Sequence, residues 1–319
     1  MDAQTSASST SLPPIFRVVQ ERFPWEGVVQ GAGVILVERL PELSAEISAL
    51  DARVFGLSSG FFYLPAALAV EWGRDDDESL ERLLSLLAIG HGHFAFQDLV
   101  IDNGGAPAQL CLVSDTCLLT YLDLLEHEAP AIDKGQYRRW HDLYYRWYVD
   151  ALKIEMSHRC DLSRFTSEEI LKMGMKAAPG NTTIHLVADW TGHESSAEGA
   201  VAAVMYLCAG LQVLDDLNDL SEDFAEANYS MPLTEIILSL GPDGSPEALE
   251  SKDLLVVAAE NGVFASCLDI ADSLFSLAER TAASMEIGVI ADLANTWRRR
   301  TGARRDLLLE AMVPSDVRR

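Results

Sequence analysis

The sequence predicts an all-α fold, a large single-domain helical bundle, and three observations carry that expectation. Apolar residues recur at i, i+3 and i+4 from about Ile15 almost to the end of the chain. Alternating Val/Ile/Thr runs of the strand type are nearly absent. The periodic stretches are separated by short segments rich in Gly, Pro, Asn and Ser, which interrupt helices. At about 150 residues per domain, 319 residues admit one large domain or two small ones. No internal repeat is visible, so the expectation is one domain over 15–319 with roughly ten or more helices.

The elements follow in order. Residues 1–14 are Ser/Thr-rich, end in two prolines and read as a disordered tail. Ser79 to His93 places Leu80, Leu83, Leu84, Leu86, Leu87 and Ile89 at the spacing of a buried helix. Thr116 to Glu126, Tyr137 to Met156, Ser167 to Met175 and Leu254 to Leu277 repeat the pattern. Ser195-x-x-Glu198 is a capping box that should open an apolar helix over 199–220. Asn103–Pro107, Pro179–Asn181 and Gly241–Ser251 read as loops.

Composition excludes several functions. The chain carries 24 Lys+Arg against 49 Asp+Glu, a net charge of −25, and a polyanion of that size repels nucleic-acid backbones. The longest apolar stretch, Gly199 to Leu214, falls short of the roughly 18–20 residues that cross a bilayer, and no basic, apolar-cored leader opens the chain. The expectation is a cytoplasmic protein without a membrane span. Cys111, Cys117, Cys160, Cys208 and Cys267 form no C-x-x-C pair, and their odd number precludes complete pairing within the chain. Buried free thiols without chemistry are expected.

Two acidic clusters stand out. Asp215-Asp216-Leu217-Asn218-Asp219 ends the apolar helix, with Asp215, Asp219 and Asp223 four residues apart on one face. Like charges at that spacing oppose a helix unless a cation neutralises them, and oxygen-only ligands suit Mg²⁺. Earlier, Asp98-Leu99-Val100-Ile101-Asp102 places a second i, i+4 pair in apolar sequence. Two such pairs at the ends of two helices suit a metal site between facing helices. Asp75-Asp76-Asp77-Glu78 reads as solvated surface.

This pattern resembles the trans-isoprenyl diphosphate synthase branch of the class I terpene synthase superfamily, over roughly residues 50–235. The later D-D-x-x-D motif of that superfamily is matched by Asp215-Asp216-Leu217-Asn218-Asp219, and a following Tyr-Pro-Leu element by Tyr229-Ser230-Met231-Pro232-Leu233. The earlier motif is matched by Asp98 to Asp102, with Leu99 in place of its second Asp, and an upstream histidine by His91. A diphosphate-contacting lysine is matched by Lys176, although Ala177 replaces the usual threonine. The resemblance implies an all-α bundle around a central cavity, a homodimer, and Mg²⁺ held on a prenyl diphosphate. It assigns catalysis to Asp98, Asp102, Asp215, Asp216, Asp219 and Lys176, metal binding to Asp98, Asp102, Asp215, Asp219 and Asp223, and substrate binding to Gln212 and Lys176.

The departures are as informative. Condensing members bind isopentenyl diphosphate through a G-K-R-x-R-P segment and an Arg pair after the first motif. Here Gly60-Phe61-Phe62-Tyr63-Leu64-Pro65 carries Phe61, Phe62 and Leu64 at the basic positions, and Asn103–Pro107 has no Arg. Burying a diphosphate without cations costs several kcal/mol. The expectation is therefore Mg²⁺-dependent ionisation and cyclisation of farnesyl or geranylgeranyl diphosphate to a terpene hydrocarbon or alcohol. Phe94, Phe61 and Phe62 would then be aromatic walls for a carbocation. The alternatives are a prenyltransferase of the same superfamily and a non-catalytic helical partner subunit of such a synthase. Arg298, Arg299, Arg300, Arg304 and Arg305 suit either a lid over the diphosphate or pairing with the acidic body.

Overall fold

The computed structural model describes residues 12–44, 47, 62–103, 108–128, 134–241 and 251–312. Among the described residues the chain is helical, with no strand. In chain order the helices are α1 (Pro14–Arg22), α2 (Trp25–Arg39), α3 (Leu64–Glu71), α4 (Asp77–Asn103), α5 (Ala108–Glu128), α6 (Lys134–Cys160) and α7 (Ser167–Met173). A 3₁₀ segment, Gly174–Gly180, leads into α8 (Asn181–Thr191), α9 (Glu194–Asn218), α10 (Leu220–Glu226), α11 (Met231–Ser239), α12 (Ser251–Glu260), α13 (Val263–Ser284) and α14 (Gly288–Met312). The packing divides the chain into two compact units, each discontinuous in sequence: 1–142 with 180–198, and 143–179 with 199–319.

In the first unit the leucine periodicity of α4 is spent as the sequence predicts. Leu80, Leu83, Leu84, Leu86 and Ile89 are at most 1% exposed, and α4 packs against α5 and α2. Gly90 is where α4 meets α5 most closely: a Cβ there would stand 2.7 Å from the ring of Tyr121. The N-terminal segment is ordered earlier than expected, with Leu12 buried and α1 beginning at Pro14, a residue favoured in the first helical turn. The acidic run 75–78 is exposed but not merely solvated. Arg22 at the end of α1 pairs with Asp75 and Asp77, and Asp76 accepts the Ser79 backbone N–H at 2.9 Å. That hydrogen bond, with the Ser79 hydroxyl, lowers the Asp76 pKa.

In the second unit α13 and α14 lie along one another. Arg298 bridges Asp272 at 3.3 Å and Glu279 at 2.7 Å, and Arg305 reaches Asp269 at 2.6 Å. These two C-terminal arginines pair with the acidic body. Gly199 and Gly210 bring α9 close to its neighbours, since a Cβ at either would stand 2.6 Å from Met285 or Phe275. By length and composition α9 would suffice to cross a membrane, yet 67% of its most apolar window is buried inside the protein. The bent pair α12–α13 passes the same test only when taken as one span.

Several boundaries differ from those expected. The stretch Leu254 to Leu277 is two helices bent by 67°, because Gly262 adopts φ +70° between them. Helix α9 begins at Glu194, so Ser195 and Glu198 lie inside it and form no capping box. A capping box does occur at α7, where Thr166 and Glu169 exchange side-chain and backbone hydrogen bonds. Pro179–Asn181 is no open loop but the junction of the 3₁₀ segment with α8. Most of the other two expected loops, 104–107 and 242–250, lies outside the described residues, as does 1–11.

Gly174 is the tightest contact of the second unit, since a Cβ there would stand 2.4 Å from the backbone nitrogen of Ala209. Backbone cannot yield as a side-chain tip does. Gly174→Ala is expected to destabilise the chain by about 1–3 kcal/mol, read as a lower thermal midpoint. An unchanged midpoint would contradict this packing.

Candidate active site

Helix α9 explains where the later acidic cluster stands. Ala200, Ala203, Val204, Leu207 and Ala209 are nearly inaccessible, so the helix arrives at Asp215 through the core of its unit. The α-helix ends at Asn218, and Asp219 takes φ −90°, ψ 5° before α10 resumes. The backbone ladder nevertheless continues, with Asp219 N–H donating to Asp215 O at 2.9 Å and Asp223 N–H to Asp219 O at 2.8 Å. The expected i, i+4 line of Asp215, Asp219 and Asp223 is thus kept across a break between two helices. Asp215 and Asp219 are exposed, Asp216 is half-buried and Asp223 is buried.

All four carboxyls titrate above the ordinary range. Burial pushes Asp216 up to about 7, against the downward pull of Gln212 and Lys176. Gln212 Nε2 donates to Asp216 Oδ1 at 2.7 Å, so its amide orients that carboxylate. Asp215 is raised by surrounding protein first, and further by Asp223, while Lys176 opposes the shift. Asp219 is raised by burial, then by Asp215 and Glu222. Burial also raises Asp223, with Asp219 and Glu155 adding to the shift and the Ser230 hydroxyl and Asn228 amide countering it. Asn228 Nδ2 lies 2.7 Å from Asp223 Oδ1. Asn228, the residue before the Tyr229–Leu233 element, therefore holds the last member of the acidic line.

Lys176 is the cation of this cluster. Its Nζ lies 2.5 Å from Glu155 Oε2, and its field reaches Asp215 and Asp216. It stands in the 3₁₀ segment, two residues beyond the Gly174–Ala209 contact, which fixes that segment on α9. One ammonium faces several crowded carboxyls, and a hard divalent cation would relieve the remaining repulsion. Among the described residues no three His, Cys, Asp or Glu side chains gather closely enough to hold a metal ion by themselves. The two exposed carboxyls, Asp215 and Asp219, would suit a hard divalent cation only as partial ligands, with waters and ligand oxygens completing its shell.

The remaining expected residues fall variously. Asp98 and Asp102 lie on the last turns of α4, but their side chains, like all of Phe61, lie outside the described residues. Phe94 is half-buried, edge-on to His93 at 4.8 Å. Phe62 is buried, with its ring 4.1 Å from that of Trp25, and Leu64 is buried beside it. Tyr63 Oη donates to the Phe23 carbonyl at 2.6 Å. Phe62 is thus engaged in the core of its unit rather than open to a ligand. Three histidines are structural as expected: His185 stacks on Trp140, His193 on Trp72 and His158 on Phe165. Cys117, Cys208 and Cys267 are buried thiols, whereas Cys111 is exposed. Sequence reasoning missed Glu155, Arg159 and Asn228. Asn228 follows Asp223 by one turn plus a residue and was legible; Glu155 lies on another helix from its partner and was not.

No protein-family model matches the chain, and no curated protein matches it. Solved structures do. A polyprenyl synthase from Caulobacter crescentus CB15, complexed with calcium and isoprenyl diphosphate, superposes with TM-score 0.68 at 17% identity, over 91% of this chain and 97% of that one. A decaprenyl diphosphate synthase from Rhodobacter capsulatus gives 0.62 at 16%, over 90% and 99%. A polyprenyl synthase from Roseobacter denitrificans gives 0.60 at 14%, over 85% and 99%. The chain has the all-α fold of these synthases along nearly its whole length, as the motif resemblance implied.

The Asp216 shift has a measurable consequence. A raised carboxyl holds its proton more tightly in the folded chain, so its stabilising contribution is complete below the unfolded value of 3.8 and is lost as pH rises through about 7. Asp216→Asn does not ionise and escapes that loss. In metal-free buffer it should be more stable than the parent by about 1–3 kcal/mol at pH 8, the gap closing as pH falls toward 4. Thermal melts across this range check it; a gap independent of pH refutes it.

Proposed function

We propose that the chain binds an allylic prenyl diphosphate and cleaves its carbon–oxygen bond, with prenyl transfer to an acceptor as the reaction. The observation that supports this best is the intact Asp215–Asp219 line facing Lys176, within a fold shared end to end with polyprenyl synthases. Asp215 and Asp219 present open carboxylates for Mg²⁺, and the Asn228 amide holds Asp223. When bound, Mg²⁺ supplies Lewis acidity that offsets the charge developing on the leaving diphosphate. Lys176 adds an ammonium on the same side, strengthened by the low-dielectric flank of α9.

Cyclisation is the second reading, and a specific observation favours it. Phe62 and Leu64 stand where condensing members carry cations, and both side chains are buried in apolar core. No cation at those two positions is available for a second diphosphate, so an acceptor other than isopentenyl diphosphate, or the chain's own double bonds, would trap the cation.

Incubation with geranyl, farnesyl or geranylgeranyl diphosphate, Mg²⁺ and labelled isopentenyl diphosphate separates these readings. Longer labelled diphosphates mean elongation. Hydrocarbon or alcohol formed without isopentenyl diphosphate means cyclisation or quenching. Inertness in every mixture overturns both and leaves the silent partner subunit. Asp215→Ala and Lys176→Met should each lower turnover by about 10²-fold or more, and chelation should abolish it. Asp75→Ala, which removes one partner of an exposed ion pair, should change turnover by less than about twofold. Undiminished turnover after chelation would refute the metal assignment.

A further inference from the structure

Glu155 has no motif to announce it, yet both its oxygens are committed. Oε1 accepts Arg159 Nη2 at 3.1 Å, one turn on along α6, and Oε2 accepts Lys176 Nζ at 2.5 Å. The carboxylate is largely enclosed, with 18% of its side chain exposed. Arg159 therefore fixes one oxygen and directs the other at Lys176. The segment that carries Lys176 lies against α9 at Ala209, on the helix that leads to Asp215 and Asp216, yet the ion pair of Lys176 is with Glu155.

An ammonium between a carboxylate on α6 and two on α9 has competing partners. Contact with Asp215 or Asp216 would occupy the oxygens a divalent cation needs, and would cancel part of the charge that attracts it. We propose that Glu155 is a positioning residue that tethers Lys176 away from the Asp215–Asp216 carboxylates and so keeps them open to a divalent cation. The inference rests on the metal-assisted reading of the site. Lys176 would then stay available to an anionic ligand while Asp215 and Asp216 keep their oxygens for the cation.

A double-mutant cycle read by Mn²⁺ binding tests this without turnover. Free Mn²⁺ is titrated by electron paramagnetic resonance against the full chain, Glu155→Gln, Lys176→Met and the double variant. Glu155→Gln should weaken Mn²⁺ binding by about fivefold or more, and by less than about twofold once Lys176 is already Met. Equal weakening in both backgrounds would mean Glu155 contributes only general negative charge, and would overturn the tether. Unchanged binding in Glu155→Gln would overturn it too, while leaving the metal site standing. Failure of the parent chain to bind Mn²⁺ saturably, both alone and with inorganic diphosphate added, overturns the metal-assisted reading and the tether together. Should thermal melts show Glu155→Gln unfolded, Glu155→Asp carries the same cycle, since the shorter side chain withdraws from Lys176 while keeping its charge.

Discussion

Repulsion among carboxylates at the end of an apolar helix is the constraint around which the second unit is arranged. Asp215, Asp216, Asp219 and Asp223 follow one another along a nearly continuous backbone ladder, and each is shifted toward its protonated form. A protein does not keep such a line beside a buried core for stability, because ionising it at neutral pH works against folding. The surroundings moderate the repulsion without removing it. Gln212 steadies Asp216, Asn228 steadies Asp223, and Lys176 supplies a positive charge held at one remove by Glu155. What remains is a line of carboxyls that outnumbers the cation beside it.

That electrostatic arrangement depends on tight backbone geometry. Gly174 lets the 3₁₀ segment lie against Ala209, and the same α9 backbone leads on to the aspartates. Gly199 and Gly210 let Met285 and Phe275 close on the opposite stretches of the helix. At Gly174 and Gly210 a methyl group would collide with backbone or with a buried ring, so small residues there are packing requirements, whereas at Gly199 it would meet the flexible Met285 side chain. The arginines of α14 serve the same end: Arg298 and Arg305 hold α13 by ion pairs on a chain otherwise short of cations.

Shared architecture and divergent chemistry coexist in this chain. The superposition on polyprenyl synthases extends over most of both chains at 14–17% identity, which establishes the fold and leaves the reaction to the side chains. Near the N-terminus, positions that would hold cations in a condensing enzyme carry Phe62 and Leu64, and both have been absorbed into core alongside Trp25. A buried apolar side chain contributes stability where a cation would have contributed binding. Apolar side chains at these positions are therefore compatible with an undisturbed fold.

The sequence alone determined the helical class, because a 3.6-residue apolar period has few other interpretations, and Leu80, Leu83, Leu84, Leu86 and Ile89 are buried as that period requires, with Leu87 half-buried. It also determined the acidic line, because i, i+4 spacing survives even a helix break when the hydrogen-bond ladder continues. Contacts between elements distant in sequence were decided only by tertiary structure. The Arg22 pairs to the acidic run, the Phe62–Trp25 contact and the Glu155–Lys176 pair join residues far apart in sequence, and no local period encodes them. Helix ends were likewise decided by context: Gly262 in the left-handed region split one apolar stretch in two, while Ser195 was drawn inside a helix that began one residue earlier. Periodicity records which face of an element is apolar; which partner that face meets depends on how the whole chain packs.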